Sequence, residues 1–218
     1  MHDVAHVLGR LRRLAQSVVP DVSEVDLALP ALLALLNESQ APYRIVGGIA
    51  VIHHGYQRFT EDIDVLVSGE ALAALKERAQ GHDFAMVSSR RLRHTPTGVR
   101  VDLLVEGQPI PRGDGLTYPS PENAGASPRD ATFVGLRGLL ELKLLSHRAQ
   151  DLSDVTQLLK KVDDSHYLVL ESEVSRELRG ELARLRDDAL EELSWAAAAA
   201  EDKDDNERDD DERYGDGS

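Results

Sequence analysis

Two aspartates separated by one residue, Asp62 and Asp64, have the type and spacing that suit chemistry at a phosphate. Ile63, Val65 and Val67 alternate with them, a pattern typical of a β-strand with one apolar face. Side chains at i and i+2 share a face of a strand, so the two carboxylates point the same way, about 7 Å apart at their Cα atoms. Such a pair can converge on one hard cation, and Mg²⁺ usually binds one or two carboxylates together with substrate phosphates.

A glycine pair, Gly47-Gly48, precedes the aspartates by about a dozen residues. The four residues 43–46 lie between Pro42 and this pair, which predicts a short strand, and the apolar segment 49–54 predicts a helix. A junction of strand, two glycines and helix would direct backbone N–H groups and the start of a helix at a phosphate.

A third acid, Asp102, lies in the apolar segment 99–105, which also predicts a strand. If that strand runs antiparallel to residues 63–67, Asp102 completes a cluster of three carboxylates. Two metal ions bound there could activate an attacking hydroxyl and stabilise the departing pyrophosphate oxygens. A lone Asp-x-Asp or Gly-Gly is usually a solvated face or a turn, so it is the joint spacing that indicates phosphoryl transfer.

The arginines near these acids have two interpretations each. Arg58 could contact phosphate, or it could pair with Asp62 or Asp64. Residues 90–94 form a basic cluster, and could bind an RNA acceptor or a partner, or belong to a charged strand edge.

The remaining pattern predicts a mixed α/β fold, with a mostly antiparallel sheet flanked by helices and a helical C-terminal part. The segments 43–46, 63–67, 84–87, 91–93 and 99–105 are predicted strands, a second helix is predicted to start near Pro30, and 106–131 is predicted to be a long loop. The predicted organisation is N-terminal helices in 1–40, a core in 41–135, a helical part in 136–200 and a disordered acidic tail in 201–218.

The composition narrows the class of protein. The chain has 218 residues and a formal net charge of −14, of which residues 201–218, with ten acids and three bases, carry −7. Because the body is acidic too, a nucleic acid would have to be met by a local basic patch. The absence of cysteine excludes disulfides, thiolate metal sites and a cysteine nucleophile. Without a long apolar run or a signal-peptide pattern, a soluble cytoplasmic protein with no membrane partner is expected.

The sequence resembles the nucleotidyltransferase superfamily with the polymerase-β-like fold, most closely its AbiEii-type and minimal members, known as abortive-infection and toxin–antitoxin components. The resemblance covers roughly residues 43–160. The residues that match the family signature, its AbiEii-type lead-in and its third acid are Gly47, Gly48, Arg58, Thr60, Asp62, Asp64 and Asp102.

The resemblance implies a catalytic and metal-binding role for the three aspartates, with Mg²⁺ or Mn²⁺ as the cofactor and a nucleoside triphosphate as the substrate. It implies that Gly47, Gly48, Arg58, Thr60 and Lys143 bind the nucleotide and its phosphates, and that Asp151 supports the site. It also implies a tRNA 3′ end as acceptor and an antitoxin protein as partner. From the residues alone, Lys143 could instead cover apolar surface with its stem, and Asp151 and Asp154 could be acids at a helix start.

Two departures from the family pattern leave other functions open. Gly48 stands where many active members have serine, and the body of the chain is acidic. One alternative is a non-catalytic module of the same fold that binds a nucleotide or a partner. Another is a nucleotidyltransferase that acts on a small cationic molecule of the aminoglycoside kind.

Overall fold

The structure, a computed structural model, describes residues 23–111 and 115–214. The chain divides into two compact units, Met1–His147 and Arg148–Ser218. The division falls after His147, so the helix at 136–146, which the sequence analysis placed in the C-terminal part, belongs to the first unit. The helix predicted at the start of the chain lies outside the described residues.

The first unit contains a five-stranded sheet with the order β1-β2-β5-β4-β3. Its strands are β1 Tyr43–Val46, β2 Asp62–Val67, β3 Phe84–Ser88, β4 Arg91–His94 and β5 Arg100–Val105. The described helices of this unit are α1 Glu24–Ser39, α2 Gly47–His53, α3 Gly69–Arg78 and α4 Leu136–Ser146. Three of the four strand pairs are antiparallel, which confirms the predicted α/β class with a mostly antiparallel mixed sheet.

The pair formed by β2 and β5 is parallel, and the antiparallel pairing expected for it is wrong. The connection explains the direction. Between the two strands the chain forms α3 and then the antiparallel strands β3 and β4, and β4 in turn pairs antiparallel with β5. A parallel pair needs such a long crossover, whereas a short turn would have joined antiparallel neighbours.

One face of the sheet is the hydrophobic core of the first unit. Alternate residues of β2 and β5 point to this face, because side chains alternate along a strand, and they pack with the apolar residues of α1 and α3. The buried residues that form this layer are Ile63, Val65, Val67, Val101, Leu103, Val105, Leu32, Leu35, Leu36, Ala71 and Leu75. Asp62, Asp64, Arg100 and Asp102 alternate with them at the start of the two strands and lie on the other face, which continues to the buried Leu66.

Helix α1 begins earlier than predicted. Ser23 caps it, since its Oγ accepts a hydrogen bond from the Asp26 N–H at 3.1 Å, and the Asp26 carboxylate accepts one from the Ser23 N–H at 2.9 Å. Pro30 lies inside the helix instead of starting it. The capping box and the buried residues on both sides of Pro30 outweigh the missing hydrogen bond of the proline.

The outer edge of β1 is paired with the segment 132–134. The Ile45 N–H donates to the Thr132 carbonyl at 2.9 Å, and the Ile45 carbonyl accepts from the Val134 N–H at 3.0 Å. The long loop before this segment contains more structure than predicted. Among its described residues, Pro109 forms an isolated β-bridge with Thr117, and Ala126 forms one with Val134 of the segment.

The described part of the second unit is helical, with α5 Ala149–Leu159, α6 Asp164–Glu173 and α7 Arg179–Tyr214. Helix α5 packs against α7 through buried apolar side chains, among them Val155, Leu158, Leu182 and Leu185. The buried Arg186 donates to the carbonyls of Leu159 and Val162 at 2.6 and 2.8 Å, and to the Asp164 carboxylate at 2.7 Å.

Helix α7 continues to Tyr214, so the disorder predicted from Glu201 is corrected to helix over 201–214, and residues 215–218 lie outside the description. The run Ala196–Ala200 has high helix propensity, which favours continuation of the helix towards the acidic segment. Within the described residues, no helix combines the length and the apolar character needed to cross a membrane.

Stability of the first unit is expected to fall as the pH is lowered, because His94 is buried. Its Nδ1 lies 2.8 Å from Thr97 Oγ1, and burial lowers the pKa of His94 below its ordinary value of 6.5. A histidine with a depressed folded-state pKa stabilises the protein above its unfolded pKa, and this stability is lost as the pH falls through the folded value.

We therefore expect the urea midpoint to be lower at about pH 5 than at about pH 7.5, with the His94 ring titrating below its unfolded value in NMR. His53 and His54 act in the same direction, since burial lowers the pKa of both. A His94→Gln variant should therefore lose part of the pH dependence but not all of it. An unchanged midpoint, or a His94 pKa above 6.5 in the folded protein, would contradict the prediction.

Candidate functional site

The polar face of the sheet brings the three predicted aspartates onto neighbouring strands. Asp64 of β2 is directly opposite Asp102 of β5, and Asp102 is directly opposite Arg91 of β4. Residues in register on adjacent strands share a face, so this row contains two acids and then an arginine. Asp102 thus lies beside Asp64, as the sequence predicts, although it does so through parallel pairing.

A second row of charged residues runs beside the first. Asp62 of β2 is directly opposite Arg100 of β5, and Arg100 is directly opposite Arg93 of β4. Strand β4 lies between β5 and β3, so the interpretation of its arginines as a charged strand edge is wrong. Across both rows the charge changes from acidic on β2 to basic on β4.

Two of the three aspartates form ion pairs with arginines of these rows. Asp102 accepts hydrogen bonds from Arg91 through both of its oxygens, from Nε to Oδ1 and, at 3.2 Å, from Nη2 to Oδ2. Asp62 Oδ2 accepts from Arg100 Nη2 at 3.3 Å. The hydrogen bond with Asp102 raises the pKa of Arg91, and the charges of Asp102 and Asp62 add to the effect.

These arginine pairs are what sequence reasoning missed. These pairs depend on the register between strands, which places residue 91 opposite 102 and residue 62 opposite 100 and is not visible in any one segment.

No group of three or more histidine, aspartate or glutamate side chains among the described residues is close enough together to hold a metal ion. The three aspartates share a face without converging on one point.

Gly47 is the residue that lies against Asp64. A Cβ atom placed on Gly47 would be 1.9 Å from Asp64 Oδ2 and 2.7 Å from Asp64 Cβ, far inside van der Waals contact. Gly47 also has a φ of +63°, which L-residues with a side chain seldom adopt. Both observations require glycine here, and they place the first residue of α2 in direct contact with Asp64.

Gly48 has a similar relation to the two predicted phosphate-binding side chains. A Cβ on Gly48 would lie 2.6 Å from Arg58 Nη2 and 2.7 Å from Thr60 Oγ1. Arg58 donates from Nη1 to the Phe59 carbonyl at 3.2 Å, and Thr60 Oγ1 donates to the Asp62 carbonyl at 3.3 Å. The predicted residues 47, 48, 58, 60 and 64 are therefore brought together at the start of α2.

Replacement of Gly48 by serine is expected to destabilise this protein by about 1–2 kcal/mol. The added Cβ must displace Thr60, whose short side chain cannot move aside as the end of Arg58 can. Urea unfolding would measure the loss. The double variant Gly48→Ser with Thr60→Ala should recover at least about 0.5 kcal/mol relative to the sum of the single changes, and strict additivity would contradict the overlap.

Lys143 belongs to the first unit and Asp151 to the second. Lys143 of α4 is only 4% exposed, between the buried Leu142 and Leu144, which does not fit a lysine whose ammonium reaches solvent. Asp151 lies in the first turn of α5, whose N-cap is Arg148, so it is an acid at a helix start. The roles of Lys143 at phosphate and of Asp151 in support remain predictions.

A cavity of about 670 Å³ opens beside the second charged row. Arg100 lines it on one side, and the neighbouring side chains are Phe59, which is 77% exposed, and the acidic Glu24 and Glu61. Its remaining lining comes from Ser23, Val25, Thr60, Gly98 and Val99. The cavity could hold a small molecule, and its lining includes Glu61, the residue before Asp62.

Comparison with solved structures finds a likeness in fold at low sequence identity. No protein-family model matches the chain, and no curated protein matches it. The chain is similar to the antibiotic-resistance factor ANT(2'')-Ia in its solution structure, with a TM-score of 0.44 and 14% sequence identity, over 77% of this chain and 95% of that one. A likeness at this TM-score does not carry an argument about function, which has to come from the geometry of the site.

Proposed function

We propose that the chain is a metal-dependent nucleotidyltransferase that moves a nucleoside monophosphate from a nucleoside triphosphate to an acceptor hydroxyl and releases pyrophosphate. The observation that carries this proposal is the contact of the Gly47 backbone with Asp64, which is itself in register with Asp102. That contact joins a place where backbone can approach a phosphate closely to a pair of carboxylates.

The donor chemistry of the face fits Mg²⁺ or Mn²⁺. Asp62, Asp64 and Asp102 offer only carboxylate oxygens, which hard divalent cations prefer, and they lie on one face of two adjacent strands. The bound ion would supply positive charge that activates the acceptor hydroxyl and stabilises the leaving pyrophosphate. The ion pairs of Asp62 and Asp102 are partly exposed, and such pairs are weak enough for their carboxylates to exchange partners.

The chain's own residues take the following parts in this proposal. The Asp102 carboxylate accepts the proton of the acceptor hydroxyl, whose oxygen forms a bond to the α-phosphorus as the bond to the pyrophosphate oxygen breaks. The backbones of Gly47 and Gly48 hold the phosphates, with Arg58, Thr60 and Lys143 as their polar and cationic contacts. The resemblance implies a supporting role for Asp151.

Two classes of acceptor are compatible with this arrangement. The resemblance to AbiEii-type proteins favours a tRNA 3′ end, with a toxin role in the cytoplasm and an antitoxin as partner. The acidic side chains of the cavity, Glu24 and Glu61, favour a cationic small molecule of the aminoglycoside kind instead. The assay below therefore contains both.

A non-catalytic module is the second candidate, and the ion pairs are the observation that favours it. Arg91 and Arg100 already neutralise Asp102 and Asp62, so the face is stable without a metal. Such a module would bind nucleoside triphosphate without transferring any part of it.

The test incubates the protein with each α-³²P-labelled nucleoside triphosphate and Mg²⁺, together with total tRNA or a panel of aminoglycosides. We expect label in one acceptor class, with one pyrophosphate released for each label transferred. Thermal stabilisation by triphosphate without label or pyrophosphate would favour the non-catalytic module. No transfer and no stabilisation would overturn the proposal. For a tRNA acceptor, growth inhibition by the expressed chain would test the toxin role.

A further inference from the structure

The ion pairs Arg91–Asp102 and Arg100–Asp62 provide positive charge next to carboxylates that could bind a metal ion. Asp64 and Asp102 are directly opposite each other, and like charges in that position destabilise a sheet. Arg91 and Arg100 bring two positive charges to the same face, and arginine keeps its charge at any pH at which the protein is folded. In the absence of a divalent ion, Arg91 neutralises Asp102 and Arg100 neutralises Asp62.

The binding chemistry of these arginines also suits a second partner. A guanidinium group donates two parallel hydrogen bonds to a carboxylate, as Arg91 does to Asp102, and the same fork fits two oxygens of a phosphate. Both pairs are partly exposed, with the side chains of Arg91 and Arg100 45% and 53% accessible, so solvent screening keeps them weak. A bound metal ion would compete for the same carboxylate oxygens.

We propose that Arg91 and Arg100 exchange partners: they hold Asp102 and Asp62 while the site is empty, and bind triphosphate oxygens when a metal ion takes these carboxylates. This inference rests on the proposed nucleotidyltransferase function and deepens it. In both states Asp102 and Asp62 face a cation, and Arg91 and Arg100 face an anion.

Arg93 is a basic residue of this face that has no part in the two ion pairs. It is exposed, directly opposite Arg100, and forms no ion pair with any residue that the structure describes. Two arginines in register repel each other, which an anion bound near them would relieve. Arg93 also provides a matched control, because it has the same charge on the same strand face as Arg91 but no carboxylate partner.

The test measures metal and triphosphate binding separately, without catalysis. Binding of Mn²⁺ alone is followed by electron paramagnetic resonance in wild type, Arg91→Ala, Arg91→Lys and Arg93→Ala. We expect Arg91→Ala to tighten Mn²⁺ binding about threefold to tenfold, because Asp102 no longer has a competing cation. We expect Arg93→Ala to change it by less than about twofold, since an exposed charge without a partner acts only through a screened field.

The second measurement uses a non-hydrolysable triphosphate at saturating Mn²⁺. Here Arg91→Ala should weaken binding by about tenfold, the opposite direction to its effect on the metal, because a bidentate phosphate contact is lost. Arg91→Lys keeps the charge but loses the fork, and should lie between wild type and alanine in both measurements. Thermal unfolding of each variant checks that it is folded.

The outcomes separate the two proposals. If Arg91→Ala leaves Mn²⁺ binding unchanged or weakens it, or if Arg93→Ala has an equal effect, the exchange is overturned and the proposed function stands. If neither wild type nor any variant binds Mn²⁺ or triphosphate, both proposals fail. Loss of Mn²⁺ binding in Asp64→Asn, with opposite effects of Arg91→Ala on metal and triphosphate, would support both.

Discussion

Substitution of Asp64 by asparagine is expected to lower nucleotidyl transfer by at least about 1000-fold, the scale on which single charged groups act at a reacting centre. Asp64 is the acid in contact with the Gly47 backbone and in register with Asp102, so it is placed between the expected positions of phosphate and metal. Asparagine keeps the size of the side chain but removes the charge that a divalent cation requires.

The measurement compares single-turnover transfer of labelled nucleotide by wild type and variant, using whichever acceptor accepts label from wild type. Glu106→Gln is the matched control, because Glu106 is an exposed carboxylate just beyond the far end of the same parallel strand pair. It should leave transfer within about twofold of wild type, since it lies away from the charged rows. Equal transfer by Asp64→Asn and wild type would end the assignment of this face as the active site.

The second large effect is expected on stability. We predict that Gly47→Ala lowers the free energy of unfolding by about 2–4 kcal/mol, from the strain of a left-handed backbone together with steric overlap. The overlap is with Asp64, whose carboxylate oxygen would lie 1.9 Å from the new Cβ. Urea denaturation of the variant measures the total, and the displaced Asp64 should lower transfer as well.

Two other glycines separate the strain from the overlap. Gly98 has a φ of +81° but no atom within 4 Å of an added Cβ, so Gly98→Ala should cost only the backbone strain, about 1 kcal/mol. Gly69 has neither a positive φ nor a neighbour, and Gly69→Ala should be neutral or stabilising by up to about 1 kcal/mol. If Gly47→Ala costs no more than Gly98→Ala, the contact with Asp64 is not the cause.

The parts of the site that sequence could predict depend on local geometry. The alternation in residues 62–67 puts Asp62 and Asp64 on the face opposite Ile63 and Val65 whatever the strand pairs with. The position of the glycine pair between a short strand and a helix likewise follows from residues close in sequence. These predictions therefore survived in the structure, with Gly47 against Asp64.

The parts that sequence could not predict depend on pairing between distant segments. The direction of β5 relative to β2 is set by the route of the chain through α3, β3 and β4, and no single segment reveals it. The register then decides that Arg91 faces Asp102 and that Arg100 faces Asp62. The near-complete burial of Lys143 also depends on tertiary contacts. A leucine-rich helix predicts one apolar stripe, but not which of its residues other segments cover.

The segment 132–134 closes the outer side of β1, and this protects the molecule against self-association. An open strand edge offers unpaired amides and carbonyls to the edge of another chain, which is a common start of aggregation. Here Ile45 already uses its N–H and its carbonyl on Thr132 and Val134. Proteolytic cutting of the loop before residue 132 would free this cover, so oligomers built by strand addition at β1 should appear only after such a cut.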